Sequence, residues 1–269
     1  MFKTLKIKRA RNTAGCAIFL LLSTLAADGQ DSSILQPEIA LSKDSGTFIH
    51  DSAADEPHGV QWKSLLEDAS LLLAAQHLYR IAEDPSVRKE LRGPLFHDYF
   101  SAVRNIRGWN DGDPFTVNYL EHPFYGAITN YMFTHRDSAY QATQFGLNKG
   151  YWKSRLRATG FTFVYSLQYE IGPFGEASIG NIQLDPQKRG VVDWVITPAI
   201  GLVWTIAEDA LDRYVIKHIE RSTGHRSLIA LARGFLNPAR SSANIFARRM
   251  PFDRDDRSNE PLDPRLHPF

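Results

Sequence analysis

The sequence predicts a mainly α protein, a compact multi-helix domain with a buried central apolar helix, a disordered leader and a disordered tail. Three observations carry this expectation. Apolar residues recur at helical spacing in several segments. Proline and glycine punctuate those segments where helices start and stop. No run alternates with the period of two that a half-buried strand requires. The chain has 269 residues, 43% of them hydrophobic and 23% charged, which is enough for one generous domain.

The first 27 residues read as a secretory signal peptide. Lys3, Lys6, Lys8, Arg9 and Arg11 form a basic start, and no acid precedes Asp28. An apolar block from Ala14 to Leu25 follows, then the small residues Ala26 and Ala27. The block is shorter than the roughly 20 residues of a comfortable bilayer span, although an uncleaved N-terminal anchor is the alternative. Cys16 has Thr13, Ala14 and Gly15 before it and the apolar block after it, the reverse of a lipidation site.

Export reshapes the charge arithmetic. The whole chain has 31 basic and 30 acidic residues, a nominal charge of +1. Removing the five leading cations leaves 26 basic residues against those 30 acids, a mature charge of about −4. This balance excludes a nucleic-acid binder working through bulk positive charge. One cysteine, itself in the signal segment, excludes a disulfide framework and a cysteine-based zinc site.

Residues 28–60 are rich in Ser, Asp, Ala and Gly without a sustained period, and read as a flexible leader. The helical domain is expected over 61–250. Its first helix runs from Trp62 to Ala82, with Trp62, Leu65, Leu66, Ala69, Leu72, Leu73 and Tyr79 on one face. On this reading Lys63, Glu67, Asp68 and Arg80 lie off that face. Asp84-Pro85 caps a short helix to Leu91. Gly93-Pro94 opens another, with Leu95, Phe96, Phe100 and Val103 expected inside. The loop Trp109 to Pro114 is dense in turn formers and lacks the ligand alternation of a calcium loop. His122-Pro123 opens the next helix, and a long aromatic helix spans Tyr151 to Ile171 before Gly172-Pro173.

From Val191 to Glu220 lies the most apolar stretch after the signal. Pro198 sits inside it, with Thr197 as a competent N-cap, so a new helix is expected at Pro198, or else one helix kinked there. A helix after Gly224 and one capped by Asn237-Pro238 complete the domain. The proline-containing tail, 251–269, is expected to be disordered.

No strong catalytic signature is present: no nucleophile elbow, P-loop, dinucleotide fingerprint or H-E-x-x-H. The nine histidines include no i, i+4 pair, so a histidine metal site would need tertiary convergence. No metal or cofactor is predicted. Three constellations offer catalytic candidates. His122 stands at a helix start, where it is either a positioned imidazole of lowered pKa or a capping residue packed near Gly126. Glu170, with Glu176 and Asn181, flanks the Gly172 to Gly175 turn at the end of the aromatic helix. It is a burial-raised acid if it points inward and an ordinary surface carboxylate otherwise. Gly201, Thr205, Glu208 and Asp212 share one helix face, with Asp209 and Arg213 forming a neighbouring i, i+4 pair. The two carboxylates of that face either act together or mark where a buried helix meets water.

Asn118-x-x-x-His122-Pro123-x-x-Gly126 is followed by Ser166 and Glu170, then by Glu176-Ala177-Ser178-Ile179-Gly180-Asn181. This pattern, over about residues 105–215, resembles a bacterial family of envelope proteins classed as a domain of unknown function. The resemblance implies an envelope location and assigns no activity. It draws attention to Asn118, Pro123, Gly126, Glu176 and Ser178 beside His122 and Glu170. The family pattern has an acid where Asn181 stands here.

Two functions are compatible with these residues. One is a non-catalytic, exported helical protein of the cell envelope, held at a membrane and partnered by lipid or another envelope protein. The other is an envelope hydrolase acting on lipid or cell-wall material, with His122 as base and Glu170, Glu208 or Asp212 as acids or ligands. It requires His122 within about 3–8 Å of one of those carboxylates. An outer-membrane barrel is excluded by the missing alternating strands and by Pro264 and Pro268 near the terminal Phe269.

Overall fold

The computed structural model describes residues 59–83, 85–91, 94–179 and 190–257. The signal segment, nearly all of the leader, Asp84, Asn181 and the end of the tail lie outside them. The described chain is mainly α, and its β pairing is an isolated bridge between Val60 and Asp137.

The helices are α1 (Trp62–Glu83), α2 (Pro85–Glu90), α3 (Leu95–Arg104), α4 (His122–Arg136), α5 (Lys149–Ile171), α6 (Glu176–Ile179), α7 (Val192–Leu211), α8 (Lys217–Ser222), α9 (Arg226–Leu236) and α10 (Pro238–Phe246). Helix α4 lies innermost, with every residue from Gly126 to Thr134 buried. It packs most extensively on α7, and also on α5, α10 and α1. Ala127, Ile128, Tyr131, Met132 and Phe133 join Leu65, Ala69 and Leu72 of α1 and Ala239 and Ala243 of α10 in the core.

Local chemistry sets several boundaries. The Asn148 side chain accepts the Tyr151 N–H at 2.9 Å and caps α5. Pro238 occupies the first turn of α10, where its missing N–H costs nothing. The cap of α10 differs from expectation: Asn237 makes no side-chain cap bond. Glu208, from the end of α7, accepts the Ala239 and Arg240 N–H groups instead, at 2.9 and 3.1 Å.

Helix α7 starts at Val192 and runs through Pro198, so Thr197 is not an N-cap. A proline inside a helix removes one backbone bond and crowds the preceding turn. Here the close crossing of α4 over Thr197 and Gly201 holds the helix together: a Cβ on Gly126 would overlap the Thr197 carbonyl.

The central helix also buries an unexpected side. Asp193, Thr197, Thr205, Glu208 and Asp209 of α7 are buried, while Val195, Ile200, Val203 and Leu211 are exposed. Helix α5 repeats the pattern, burying Ser154, Arg155, Thr162, Ser166 and Glu170 and exposing Leu156, Phe163 and Val164. In α1, Asp68 is buried against Arg136 at 2.8 Å, while Trp62 and Leu66 are exposed. In α3, Phe96 and Phe100 face outward, against expectation, and Ala102 is inside.

The polar interior is bonded rather than bare. Asp209 accepts Tyr151 Oη and Arg155 Nε on one oxygen, at 2.8 and 2.7 Å. Its other oxygen accepts Tyr131 Oη and Arg240 Nη2, at 3.0 and 2.7 Å. Arg213, the expected partner of Asp209, donates to the Phe145 carbonyl instead. The beginning of the tail is ordered by the same means. Arg254 and Arg257 both reach Asp212, and Asn244 donates to the Pro251 and Asp253 carbonyls. The expected disorder therefore does not apply to residues 251–257.

Candidate functional site

The site forms where the starts of α4 and α7 meet the end of α5. Residues 108–113 lie against the beginning of α7, with the Val191 and Val192 N–H groups donating to the Gly108 and Trp109 carbonyls. Gly190 permits that approach, since a Cβ there would overlap the backbone of Trp109 and Asn110. Ser166 of α5 donates to the Asp193 carbonyl at 3.0 Å and fixes the first turn of α7 from the other side.

Three side chains converge there. His122 Nε2 lies 3.7 Å from Asp193 Oδ2. One ligand atom from each of His122, Glu170 and Asp193 lies within 4.8 Å of the others. His122 does not begin a free helix N-terminus. A π-helical turn, Val117–Glu121, runs directly into α4, so the position at a helix start does not lower the His122 pKa. Burial instead lowers the imidazole pKa to about 4, against the upward pull of Glu176 and Asp111. The ring packs edge-on to Tyr169, with centroids 6.1 Å apart.

Glu170 points inward and is 4% exposed. Burial raises its pKa, and the charges of Glu176, Asp193, Asp113 and Asp111 raise it further. Asp193 is pushed up to about 9, first by burial, then by a hydrogen bond to the Asp111 carboxyl and by neighbouring negative charge. His122 and Asp193 are therefore held chiefly in neutral form near pH 7, because uncompensated buried charge is too costly, and burial pushes Glu170 in the same direction.

Around them stands a second layer of polar groups. Asp111 Oδ1 accepts from the Asp113 N–H and from Asn118 Nδ2, at 3.0 and 2.8 Å. Glu176 Oε1 accepts the Tyr169 hydroxyl at 2.9 Å and lies 3.6 Å from Arg80 Nε. Arg80 also reaches Asp113, so a residue expected off the packed face of α1 supplies positive charge at this site. Asn118 Oδ1 is buried and accepts no hydrogen bond, and Asp193 Oδ1 and Asp111 Oδ2 are buried with no donor other than a carboxyl proton.

The other predicted residues take different places. Pro123 is buried in the first turn of α4, and Gly126 serves the α4–α7 crossing. Ser178 donates to the Gly175 carbonyl at 2.9 Å, a turn-closing role. Glu208 and Asp212 lie 15 and 19 residues beyond Asp193, more than about 20 Å along the helix axis at 1.5 Å per residue. Glu208 caps α10, while Asp212 binds Arg254 and Arg257. Neither meets His122.

Asp193 and Asp111 were missed by sequence reasoning. An acid in the first turn of a helix reads as a partner of the helix dipole, and an acid in Asn-Asp-Gly-Asp reads as a turn former. Their shared destination depends on tertiary packing alone. No family model, curated protein or solved structure matches the chain.

Proposed function

We propose that the chain is an exported, membrane-associated protein of the bacterial cell envelope, docking its apolar helix faces against lipid. The observation that carries this reading is the inverted packing of α5 and α7. Two adjoining helices turn Asp193, Arg155, Glu170 and Asp209 inward and Leu156, Phe163, Val164, Val195 and Val203 outward. Water is a poor solvent for such an exterior, and contiguous exposed apolar surface marks a binding face.

From Trp194 to Ala207, α7 carries no charged residue. The continuous helical run Val192–Ser222 is long and apolar enough to cross a membrane by length and composition, yet its central packing on α4 and α5 suits a domain lying against lipid. Trp152 at the start of α5 is half-exposed among Lys149, Lys153 and Arg157, a grouping suited to the lipid headgroup boundary. The basic and apolar N-terminal segment, and the resemblance of residues 105–215 to an envelope family, support export.

The test is vesicle flotation of the purified mature chain with phosphatidylethanolamine–phosphatidylglycerol liposomes. The wild type floats and resists a high-salt wash. A Val164→Ser/Val195→Ser/Val203→Ser variant of unchanged thermal stability stays in the soluble fraction. A wild-type chain that is monodisperse without detergent and ignores liposomes overturns the reading.

A second reading, an envelope hydrolase acting on lipid or cell-wall material, is favoured by the convergence of His122 with Glu170 and Asp193. Glu208 and Asp212 take no part in it. Release of soluble product from such material by wild-type protein, and its loss in His122→Gln, tests that reading.

A further inference from the structure

We infer that His122, Glu170 and Asp193 bind one divalent transition-metal ion, with Asp111 and Asn118 as neighbouring oxygen donors. This goes beyond the membrane reading and does not depend on it.

The geometry supports an ion of this class. Ligand bonds of about 2.0–2.2 Å place adjacent donor atoms roughly 2.8–3.6 Å apart around one ion, and opposite donors of an octahedron roughly 4.0–4.4 Å apart. His122 Nε2 and Asp193 Oδ2 are 3.7 Å apart, within a few tenths of an ångström of an adjacent pair, and all three ligand atoms lie within 4.8 Å of one another. A contraction of the three side chains by roughly 1 Å completes the arrangement. One imidazole with two carboxylates suits zinc, manganese or ferrous iron, whereas calcium and magnesium favour oxygen alone.

The unpartnered atoms are an independent observation. Buried polar atoms are nearly always hydrogen-bonded, and each exception needs a physical reason. Asn118 Oδ1 lacks a donor here, and so do Asp193 Oδ1 and Asp111 Oδ2 once both carboxyls are ionised. Their residues are 3%, 2% and 4% exposed. A cation would satisfy Asn118 Oδ1 and would take the place of the proton shared between the Asp111 and Asp193 carboxyls. The surroundings also resemble the outer shell of a metal site. Asn118 holds Asp111, Ser166 holds the backbone of Asp193, and Tyr169 borders the His122 ring.

Charge points the same way. Asp111, Asp113, Glu170, Glu176 and Asp193 act on one another electrostatically, and among the described residues Arg80 is the guanidinium in contact with this group. A divalent ion beside Arg80 would offset most of the negative charge of these carboxylates and favour their ionised forms.

The experiment uses the full mature chain, stripped with a chelator and dialysed, then titrated separately with Zn²⁺, Mn²⁺, Mg²⁺ and Ca²⁺. Binding is followed by equilibrium dialysis with metal analysis and by thermal unfolding. The expected result is one equivalent of Zn²⁺ or Mn²⁺ bound, a rise in Tm of several degrees, and weaker binding of Mg²⁺ and Ca²⁺. Asp193→Asn and Glu170→Gln preserve side-chain shape, so they should match the stripped wild type in Tm. They should bind the ion at least about 100-fold more weakly, since even outer-shell changes cost 10–100-fold.

X-ray absorption of the zinc-loaded wild type gives a readout that does not depend on variants folding, and should report one imidazole nitrogen among oxygen ligands. No saturable binding, undiminished binding by Asp193→Asn, or a metal shell without histidine each overturns the inference.

Discussion

Gly126 of α4 and Gly201 of α7 meet backbone to backbone. A Cβ built on Gly201 would stand 2.8 Å from the Gly126 carbonyl carbon and 2.9 Å from its Cα. This crossing sits one turn into α4 from His122 and two turns into α7 from Asp193, so it sets the spacing of the helices that carry the site. Alanine at either glycine must push the backbones apart, because no flexible side chain is available to yield. Gly126→Ala and Gly201→Ala are each expected to cost about 3 kcal/mol, the upper end of ordinary overpacking. Urea denaturation checks the magnitude. Val203→Ala, on the exposed face of the same helix, should change stability by less than about 0.5 kcal/mol.

The Asp209 carboxylate holds together four elements of the chain. It takes charged hydrogen bonds from Arg155 of α5 and Arg240 of α10, and hydroxyl bonds from Tyr151 and Tyr131. Arg155 and Asp209 are both 1% exposed at the side chain, so water cannot substitute for a lost partner. Arg155→Met is therefore expected to destabilise by about 3–5 kcal/mol, the usual cost of breaking a buried pair from one side. Asp209→Asn keeps the shape and should cost a similar amount by leaving two guanidinium groups short of charge. The double variant should cost less than the sum of the two. Additive losses in a double-mutant cycle would show that the two side chains act separately.

Element positions were more legible in the sequence than element faces. Gly172-Pro173 marks the end of α5 because proline restricts the backbone locally, whereas Pro123 follows a π-helical turn and Pro198 lies inside α7. Faces were assigned on the rule that apolar residues turn inward. The rule holds for Leu65, Ala69 and Leu72 of α1 and fails for Phe96, Phe100, Val195 and Val203. Val195 and Val203 point away from a polar interior and Phe96 and Phe100 away from a small apolar cluster around Ala102 and Ala177, and periodicity alone cannot say which side of an amphipathic helix meets the rest of the chain. In the site, His122 and Glu170 were visible as residues set beside strong turn signals. Asp111 and Asp193 were not, because each has an ordinary local role and they are brought together by the packing of residues 108–113 on α7.

Glu208 and Asp212, one turn apart, should pull the pH dependence of stability in opposite directions. Burial raises the Glu208 carboxyl to about 7, and the hydrogen bonds from Ala239, Arg240 and Trp204 offset that only in part. The folded chain then binds a proton more tightly than the unfolded one. Its contribution is fully present below the unfolded value of about 4.3 and is lost as pH rises through about 7.

Asp212 behaves the other way. Burial alone would raise its pKa, but Arg240, the hydrogen bond from Arg257 and the charge of Arg254 hold it well below the usual carboxylate range. Its contribution is present above the unfolded value of about 3.9 and is lost as pH falls through the folded one. Asp212→Asn should therefore cost a few kcal/mol at pH 7 and progressively less in strong acid. Glu208→Gln should lose least, relative to wild type, near pH 7, where the wild type bears the cost of a buried charge, and lose more near pH 5. Urea unfolding of both variants at pH 3, 5 and 7 separates the two carboxyls, and parallel wild-type and variant curves would show that neither group is perturbed by its surroundings.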